Sequence, residues 1–98
     1  MPRDYERYER WDCSDVLDIC KDAWRELDAE YIALERRAPS DEERRMWLEA
    51  SIRLREQFRG LPLDQKDQYI LLMKRFDEER ERILGARKAG NMDIRPLL

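Results

Sequence analysis

Apolar side chains recur every three or four residues between Ser14 and Arg37, and this period constrains the fold more than any other feature of the sequence. At about 100° per residue, such positions form one continuous stripe along a single side of an α-helix. A helix with one apolar stripe has to bury it against other elements, so the segment predicts a long helix inside a bundle. The stripe consists of Val16, Cys20, Ala23, Trp24, Leu27, Tyr31 and Leu34.

Two further segments have the same period and predict helices near residues 41–59 and 65–88. Pro39 and the sequence Gly60-Leu61-Pro62 interrupt the pattern, because proline cannot continue a helix and glycine favours its end. The predicted core positions are Trp47, Ala50, Leu54 and Phe58 in the second segment, and Tyr69, Leu72, Met73, Phe76, Ile83 and Leu84 in the third.

Local signals predict where these helices begin and end. Ser40 and Glu43 have the spacing of a capping box, in which each side chain accepts a hydrogen bond from the backbone N–H of the other residue. Gly60 follows the second helix at the position of a left-handed C-terminal cap. Asp64 precedes the third helix, and its carboxylate is expected to act as the N-cap.

Together the three segments predict an all-α protein. We expect a three-helix up-down-up bundle over residues 14–90, because short connections favour antiparallel neighbours. A short N-terminal helical arm is expected at 1–13, and an irregular C-terminal tail at 91–98. The whole of 1–98 is expected to be a single helical domain, since 98 residues are enough for one compact unit.

The distribution of apolar residues and cysteines indicates a cellular location. No stretch approaches the roughly 20 consecutive apolar residues that a membrane-spanning helix needs. Cys13 and Cys20 are seven residues apart on one predicted helix, about 10 Å along its axis, which is too far for a disulfide. We therefore expect no membrane contact and a reducing, cytoplasmic location.

Catalytic chemistry has little support in the sequence. The chain contains no histidine, which removes the commonest general base and metal ligand, and its glycines are not grouped in a phosphate-binding loop. We expect that the protein is not an enzyme, and we assign no catalytic, cofactor-binding or metal-binding residue. One alternative is a carboxylate- and Mg²⁺-dependent nucleotide hydrolase that uses the pairs Asp15/Asp18 and Glu78/Glu81.

The arginines of the second helix raise another alternative, a nucleic-acid-associated regulator. They are Arg44, Arg45, Arg55 and Arg59. Phosphate binding needs such side chains to project together, and Glu42, Glu49 and Glu56 are interleaved with them. With 20 basic against 23 acidic residues and a net charge of −3, the composition argues against nucleic acid as the main partner.

The interpretation that we favour is a non-enzymatic helical module that binds another protein, as a subunit, an adaptor or a stoichiometric inhibitor or regulator. Its support is apolar surface beyond what three helical stripes can bury, together with arginine and aromatic residues, which are the strongest interface anchors. The predicted interface lies on the second helix, in the arm and in the tail. Its residues are Leu48, Ile52, Arg45, Arg55, Arg59, Tyr5, Tyr8, Trp11, Met92, Ile94 and Leu97.

A second copy of the chain is one candidate partner. Leu48 and Ile52 lie one helical turn apart, so a two-fold contact could place this apolar pair against its own copy. The arginines beside the pair would then meet the acidic residues of the first helix. Those residues are Asp15, Asp18, Asp22 and Glu26. In the rival expectation, the N-terminal arm covers Leu48 and Ile52 within one chain.

Arg80 is the one charged residue that we expect inside the core. It lies within the apolar stripe of the third helix, between Phe76 and Ile83. Because a buried charge without a partner is strongly destabilising, Arg80 is expected to pair with Glu26 or Glu30 of the first helix.

Overall fold

The computed structural model describes residues 3–61, 64–91 and 93–98, and every regular element in these ranges is an α-helix. The four helices are α1 at Tyr5–Tyr8, α2 at Cys13–Arg37, α3 at Asp41–Arg59 and α4 at Lys66–Lys88. The all-α prediction is confirmed, and the three long helices begin close to their predicted positions and end at them. None of the helices in the described ranges is long and apolar enough to cross a membrane.

Ser40 determines the start of α3, as its capping signal predicted. The Ser40 Oγ accepts a hydrogen bond from the backbone N–H of Glu43 at 3.2 Å, and the helix begins at Asp41. Asp41, Glu42 and Glu43 all lie in the first turn, where their negative charge interacts favourably with the N-terminal end of the helix dipole.

Two of the predicted caps are wrong. Gly60 has φ −85° and ψ −6°, an ordinary right-handed conformation, because α3 ends in a turn in which the Leu61 N–H bonds to the Phe58 carbonyl. Asp64 is not the N-cap of α4, because this helix begins one residue later than predicted and Gln65 occupies the cap position. The predicted stop at Pro62 lies outside the described residues.

The left-handed glycine cap is at the end of α4 instead. Gly90 has φ +76°, a conformation that glycine adopts without a steric penalty. The Asn91 N–H bonds to the Ala86 carbonyl at 2.9 Å, and the Gly90 N–H bonds to the Arg87 carbonyl at 3.1 Å. These two bonds form a Schellman motif, which ends α4 and reverses the chain into the tail.

Helix α2 is central and packs along both α3 and α4. Its predicted apolar stripe is buried, apart from the half-buried Trp24 and Leu34. The Cα atoms span 44 × 27 × 15 Å, so the long helices form a thin layer around one core. The other helices contribute Trp47, Ala50 and Leu54 from α3, and Tyr69, Met73, Phe76 and Ile83 from α4.

The N-terminal arm is ordered against α4. Tyr5 donates its hydroxyl hydrogen bond to Asp77, and Arg3 bonds to the same carboxylate. Tyr8 is only 9% exposed, and its ring packs edge-on against Trp11 with centroids 5.0 Å apart. The aromatic residues of the arm therefore cover the core of their own chain.

The C-terminal tail crosses from α4 to α3. Ile94 is buried in the core at 8% exposure. The backbone N–H of Leu97 bonds to the Glu79 carboxylate at 2.7 Å, and Arg53 of α3 donates to the Leu98 carbonyl at 3.4 Å. The tail is irregular, as predicted, but its side chains and backbone connect two helices.

The predicted ion pair of Arg80 is wrong. Glu26 bonds to Arg3 at 2.9 Å, and Glu30 bonds to Arg87 at 2.6 Å. Both carboxylates are therefore already paired. Glu26 is paired with an arginine of the N-terminal arm, and Glu30 with an arginine near the C-terminal end of α4. Within the described residues, Arg80 has no ion pair, and its Nε is buried without a hydrogen-bond partner.

Glu79, the residue before Arg80, is the charged group buried in the core, at 3% exposure. It accepts hydrogen bonds from the Tyr31 hydroxyl at 2.6 Å, from Arg82 Nε at 2.6 Å and from the Leu97 N–H. Burial alone would raise the pKa of Glu79, but the hydrogen bonds from Arg82, Tyr31 and Leu97 together hold the pKa below its ordinary value. The ionised carboxylate of Glu79 thus connects α2, α4 and the tail through these hydrogen bonds.

Candidate protein-binding surface

The outward face of α3 carries an exposed cluster of apolar and basic side chains. We call it the α3 patch, and it consists of Leu48, Ile52, Arg45, Arg55 and Arg59, all of them exposed. Leu48 is 48% exposed and Ile52 is 49% exposed. They project away from α2 because the residues that bury α3, Trp47, Ala50 and Leu54, lie on the opposite side of the helix.

The arginines of the α3 patch have no partner within the described residues. Arg45, Arg55 and Arg59 form no ion pair and no hydrogen bond there. By contrast, Arg44 on the same helix lies 3.4 Å from the Asp41 carboxylate. The guanidinium groups of the patch are therefore free to bind carboxylates of another molecule.

The arm and the tail do not contribute to an exposed interface in the way that the sequence predicted. Tyr8 and Ile94 are buried within their own chain, and Tyr5 and Trp11 are half-buried against α4 and Tyr8. These side chains of the arm and the tail pack on the core of their own chain, so they are not exposed for a partner, contrary to the prediction. Leu97 is 70% exposed, whereas Met92 lies outside the described residues.

The expectation that the arm covers Leu48 and Ile52 is also wrong. The arm's polar contacts are with α4 and α2, where Arg3 bonds to Asp77 and Glu26. Leu48 and Ile52 remain about half exposed on α3. The apolar pair is thus left uncovered by its own chain in the described residues.

A groove beside the α3 patch was not predicted. It lies between α2 and α3 near the start of α4, and we call it the α2–α3 groove. Its volume is about 590 Å³. Its apolar lining consists of Leu17, Trp24, Phe58, Leu61 and Tyr69. Its basic lining consists of Lys21, Arg25, Arg55 and Arg59, and none of the described residues that line it is a carboxylate.

A sequence signal for this groove does exist. Lys21 and Arg25 are four residues apart and flank Trp24, while Arg55 and Arg59 are four residues apart and flank Phe58. Residues four apart lie on one face of a helix, so each helix has a basic edge beside an aromatic residue. That the two edges face each other depends on the register between α2 and α3, which the sequence pattern does not specify.

The carboxylate pairs proposed for a Mg²⁺-dependent hydrolase are not brought together. Glu78 and Glu81 line a groove with Glu26. Asp18 is eight residues before Glu26 on α2, about 12 Å along the helix axis, and it lines a separate depression with Asp15. The described residues contain no group of three or more side chains placed to hold a metal ion.

The buried thiol has no nucleophilic character. Cys20 is fully buried, and burial together with the nearby Asp77 carboxylate raises the pKa of its thiol to about 12. Because the thiolate is the reactive form, Cys20 acts as a small core residue, as the sequence predicted.

The α3 patch and the adjoining groove share Arg55 and Arg59 and lie next to each other on the surface of α3. Comparisons with protein-family models, curated proteins and solved structures find no match to the chain.

Proposed function

We propose that this chain is a non-enzymatic helical interaction module of the cytoplasm, a subunit, an adaptor or a stoichiometric inhibitor, which binds another protein through the α3 patch. The observation that carries the proposal is that Leu48 and Ile52 stay exposed after the arm and the tail have covered the core. Contiguous apolar surface that is left exposed on a folded chain and bordered by polar residues is typical of protein–protein interaction sites, and arginine is among the residues that contribute most at such sites.

The composition of the α3 patch fits a protein partner. Two aliphatic side chains form its middle, beside three arginines that have no ion pair or hydrogen bond within the described residues. Arginine is a favoured interface residue because its planar guanidinium binds carboxylates at two points and also packs on apolar groups. The patch runs from Arg45 to Arg59, about 21 Å along the helix.

We further propose that the long helices have the up-down-up order predicted from the sequence. Ring contacts between α2 and α3 join Tyr31 to Trp47 and Trp24 to Phe58, so positions that ascend on α2 descend on α3. This order supports antiparallel packing. The α3 patch would then form one outer face of the bundle, on the side of α3 opposite to its core residues.

The experiment that tests this function is capture of partners from an extract of the native host with the tagged wild-type chain. We expect one dominant partner, and we expect Leu48→Glu with Ile52→Glu to lower its recovery by about tenfold or more, because each charge would be buried against apolar surface. The matched control is Leu71→Glu, since Leu71 is a 54% exposed leucine on α4. Equal recovery by all three proteins would contradict the proposal.

The same comparison distinguishes a second copy from a different protein. A homodimer through the α3 patch would sediment as a dimer at tens of micromolar and would become a folded monomer with Leu48→Glu and Ile52→Glu. The acidic residues Asp15, Asp18 and Asp22 are exposed on α2 and could receive the arginines of a second copy. A wild-type chain that sediments as a monomer would exclude the homodimer and leave the different protein as partner.

A further inference from the structure

The α2–α3 groove combines an aromatic floor with an unused hydrogen-bond donor. The rings of Trp24 and Phe58 pack edge to face, with centroids 6.0 Å apart and an interplanar angle of 84°. Within the described residues, the Trp24 Nε1 atom is buried and has no hydrogen-bond partner. A buried N–H without an acceptor is destabilising, so Trp24 keeps a donor that the described residues of its own chain do not satisfy.

The groove is a basic site on a chain whose net charge is −3. Lys21 and Arg25 border it on α2, and Arg55 and Arg59 border it on α3. Of these four, only Arg25 has an ion pair within the described residues, an exposed contact of 3.4 Å with Asp22. Exposed ion pairs of this kind are weak, so all four cations can bind an anionic ligand.

From this geometry we infer that the α2–α3 groove binds an acidic amphipathic helix of a partner protein. The inference rests on the proposed function and names the chemistry of the partner. Apolar side chains of that helix would lie on the half-buried Leu17, Trp24 and Phe58. Its carboxylates would meet the two basic edges, in the helix-in-groove mode of peptide recognition.

The α3 patch continues this site and determines its length. Arg55 and Arg59 belong to both the patch and the groove, so a bound helix that follows α3 beyond the groove would reach Ile52 and then Leu48. From Leu48 to Arg59 the distance along the axis is about 16 Å, which matches three turns of a bound helix. A helix of that length presents apolar residues at positions i, i+3 or i+4, and i+7.

The observations favour a peptide over a nucleic acid. Trp24 and Phe58 are both half-buried and pack against each other, which leaves little ring surface for the base stacking that single-strand binding needs. Asp18 and Asp22 are exposed on α2 beside Lys21, and they would repel the continuous charge of a phosphate backbone that extends beyond the groove more than the few carboxylates of a short helix. A short helix with its own apolar face avoids both problems.

The test uses the purified chain of 98 residues and a display library of helical peptides of about 16 residues, enough for the three turns with flanking residues. Peptides enriched by the wild-type chain are expected to carry Asp and Glu beside apolar residues that are spaced three and four apart. One enriched peptide is then synthesised, and its Kd is measured by fluorescence anisotropy. A selection that enriches no peptide, or peptides no more acidic than the library, would overturn the inference.

Charge reversal on the α2 side identifies the site, because Lys21 and Arg25 line the groove but are not part of the α3 patch. Lys21→Glu with Arg25→Glu is expected to raise the Kd of the peptide by about 30-fold or more, and a repeated selection should no longer enrich acidic peptides, because Arg55 and Arg59 would then be balanced by the two new carboxylates. The matched control reverses Arg7 and Arg10, two exposed arginines near the N-terminus, and should change the Kd by less than about threefold. Equal weakening by both pairs would contradict a specific groove.

Failure of this inference can be told apart from failure of the proposed function. A host partner that is lost with Leu48→Glu and Ile52→Glu but retained with Lys21→Glu and Arg25→Glu would support the interaction module and reject the groove. Single-stranded oligothymidylate is the remaining probe. If it binds in a manner that depends on Lys21 and Arg25 while the acidic peptides do not bind, the ligand is nucleic acid and the inference is overturned.

Discussion

Replacing Phe76 with alanine is expected to lower the free energy of unfolding by about 3–5 kcal/mol, the usual range for removing a buried aromatic ring. Phe76 of α4 is fully buried, and its ring lies 5.7 Å from that of Phe58 on α3. The extensive helix contacts of both α3 and α4 are with α2, and this ring pair is a direct contact between α3 and α4. Urea unfolding followed by circular dichroism measures the change.

The control for this measurement is Leu71→Ala on the same helix. Leu71 is 54% exposed, so its truncation should change the free energy of unfolding by less than about 0.5 kcal/mol. A loss below about 1 kcal/mol for Phe76→Ala would be inconsistent with close packing between the helices.

Removal of the Glu79 carboxylate is the second change with a large expected effect. Glu79→Ala leaves the Tyr31 hydroxyl, Arg82 and the Leu97 N–H without their shared acceptor. We expect a loss of about 2–4 kcal/mol in the free energy of unfolding, because buried donors lose their hydrogen bonds. Glu79→Gln keeps an acceptor oxygen and should cost less. Glu78→Ala, at an exposed neighbouring position, should cost less than about 0.5 kcal/mol.

The same carboxylate predicts how stability depends on pH. The pKa of Glu79 is lower in the folded chain than its ordinary value of 4.5, so its contribution is present above that value and is lost as the pH falls through the lowered pKa. Burial and then the bond to Glu79 raise the pKa of Tyr31 above 10.0, so a second loss is expected at more alkaline pH. The acid-side loss should be smaller in Glu79→Gln, and an unchanged acid-side profile in that variant would contradict this assignment.

The helix boundaries could be predicted because the signals for them are local. Pro39 and the Ser40 cap lie next to the residues whose structure they determine, and the apolar period of α2 is visible over 25 residues. The prediction of a left-handed cap at Gly60 was wrong although it also used a local signal. A glycine permits a left-handed conformation but does not require it, and only Gly90 has the bonds of a Schellman motif.

The position of the buried charge could not be predicted from the period alone. Glu79 and Arg80 lie three and four residues after Phe76, and both spacings belong to the same helical face. Which of the two side chains is buried depends on the rotation of α4 against α2. That rotation is determined by packing across the whole interface, and the sequence pattern is equally compatible with either residue.

The contacts by which the arm and the tail dock on the bundle could not be predicted from the sequence pattern either. Tyr5 bonds to Asp77, which is 72 residues away, and Leu97 bonds to Glu79. Such contacts depend on the completed bundle rather than on nearby residues. For the candidate site, the exposed pair Leu48 and Ile52 followed from the helical period, whereas the groove required the register between α2 and α3.

Site-specific photo-crosslinking in the native host tests the central claim most directly. A photoreactive residue is placed at position 48, at position 52 or, as the control, at position 71 on the exposed side of α4. If the protein acts through the α3 patch, illumination should produce a discrete covalent adduct with one partner from positions 48 and 52, and none of comparable yield from position 71. Adducts of equal yield from position 71, or no adduct from positions 48 and 52, would contradict an interaction module that binds through α3.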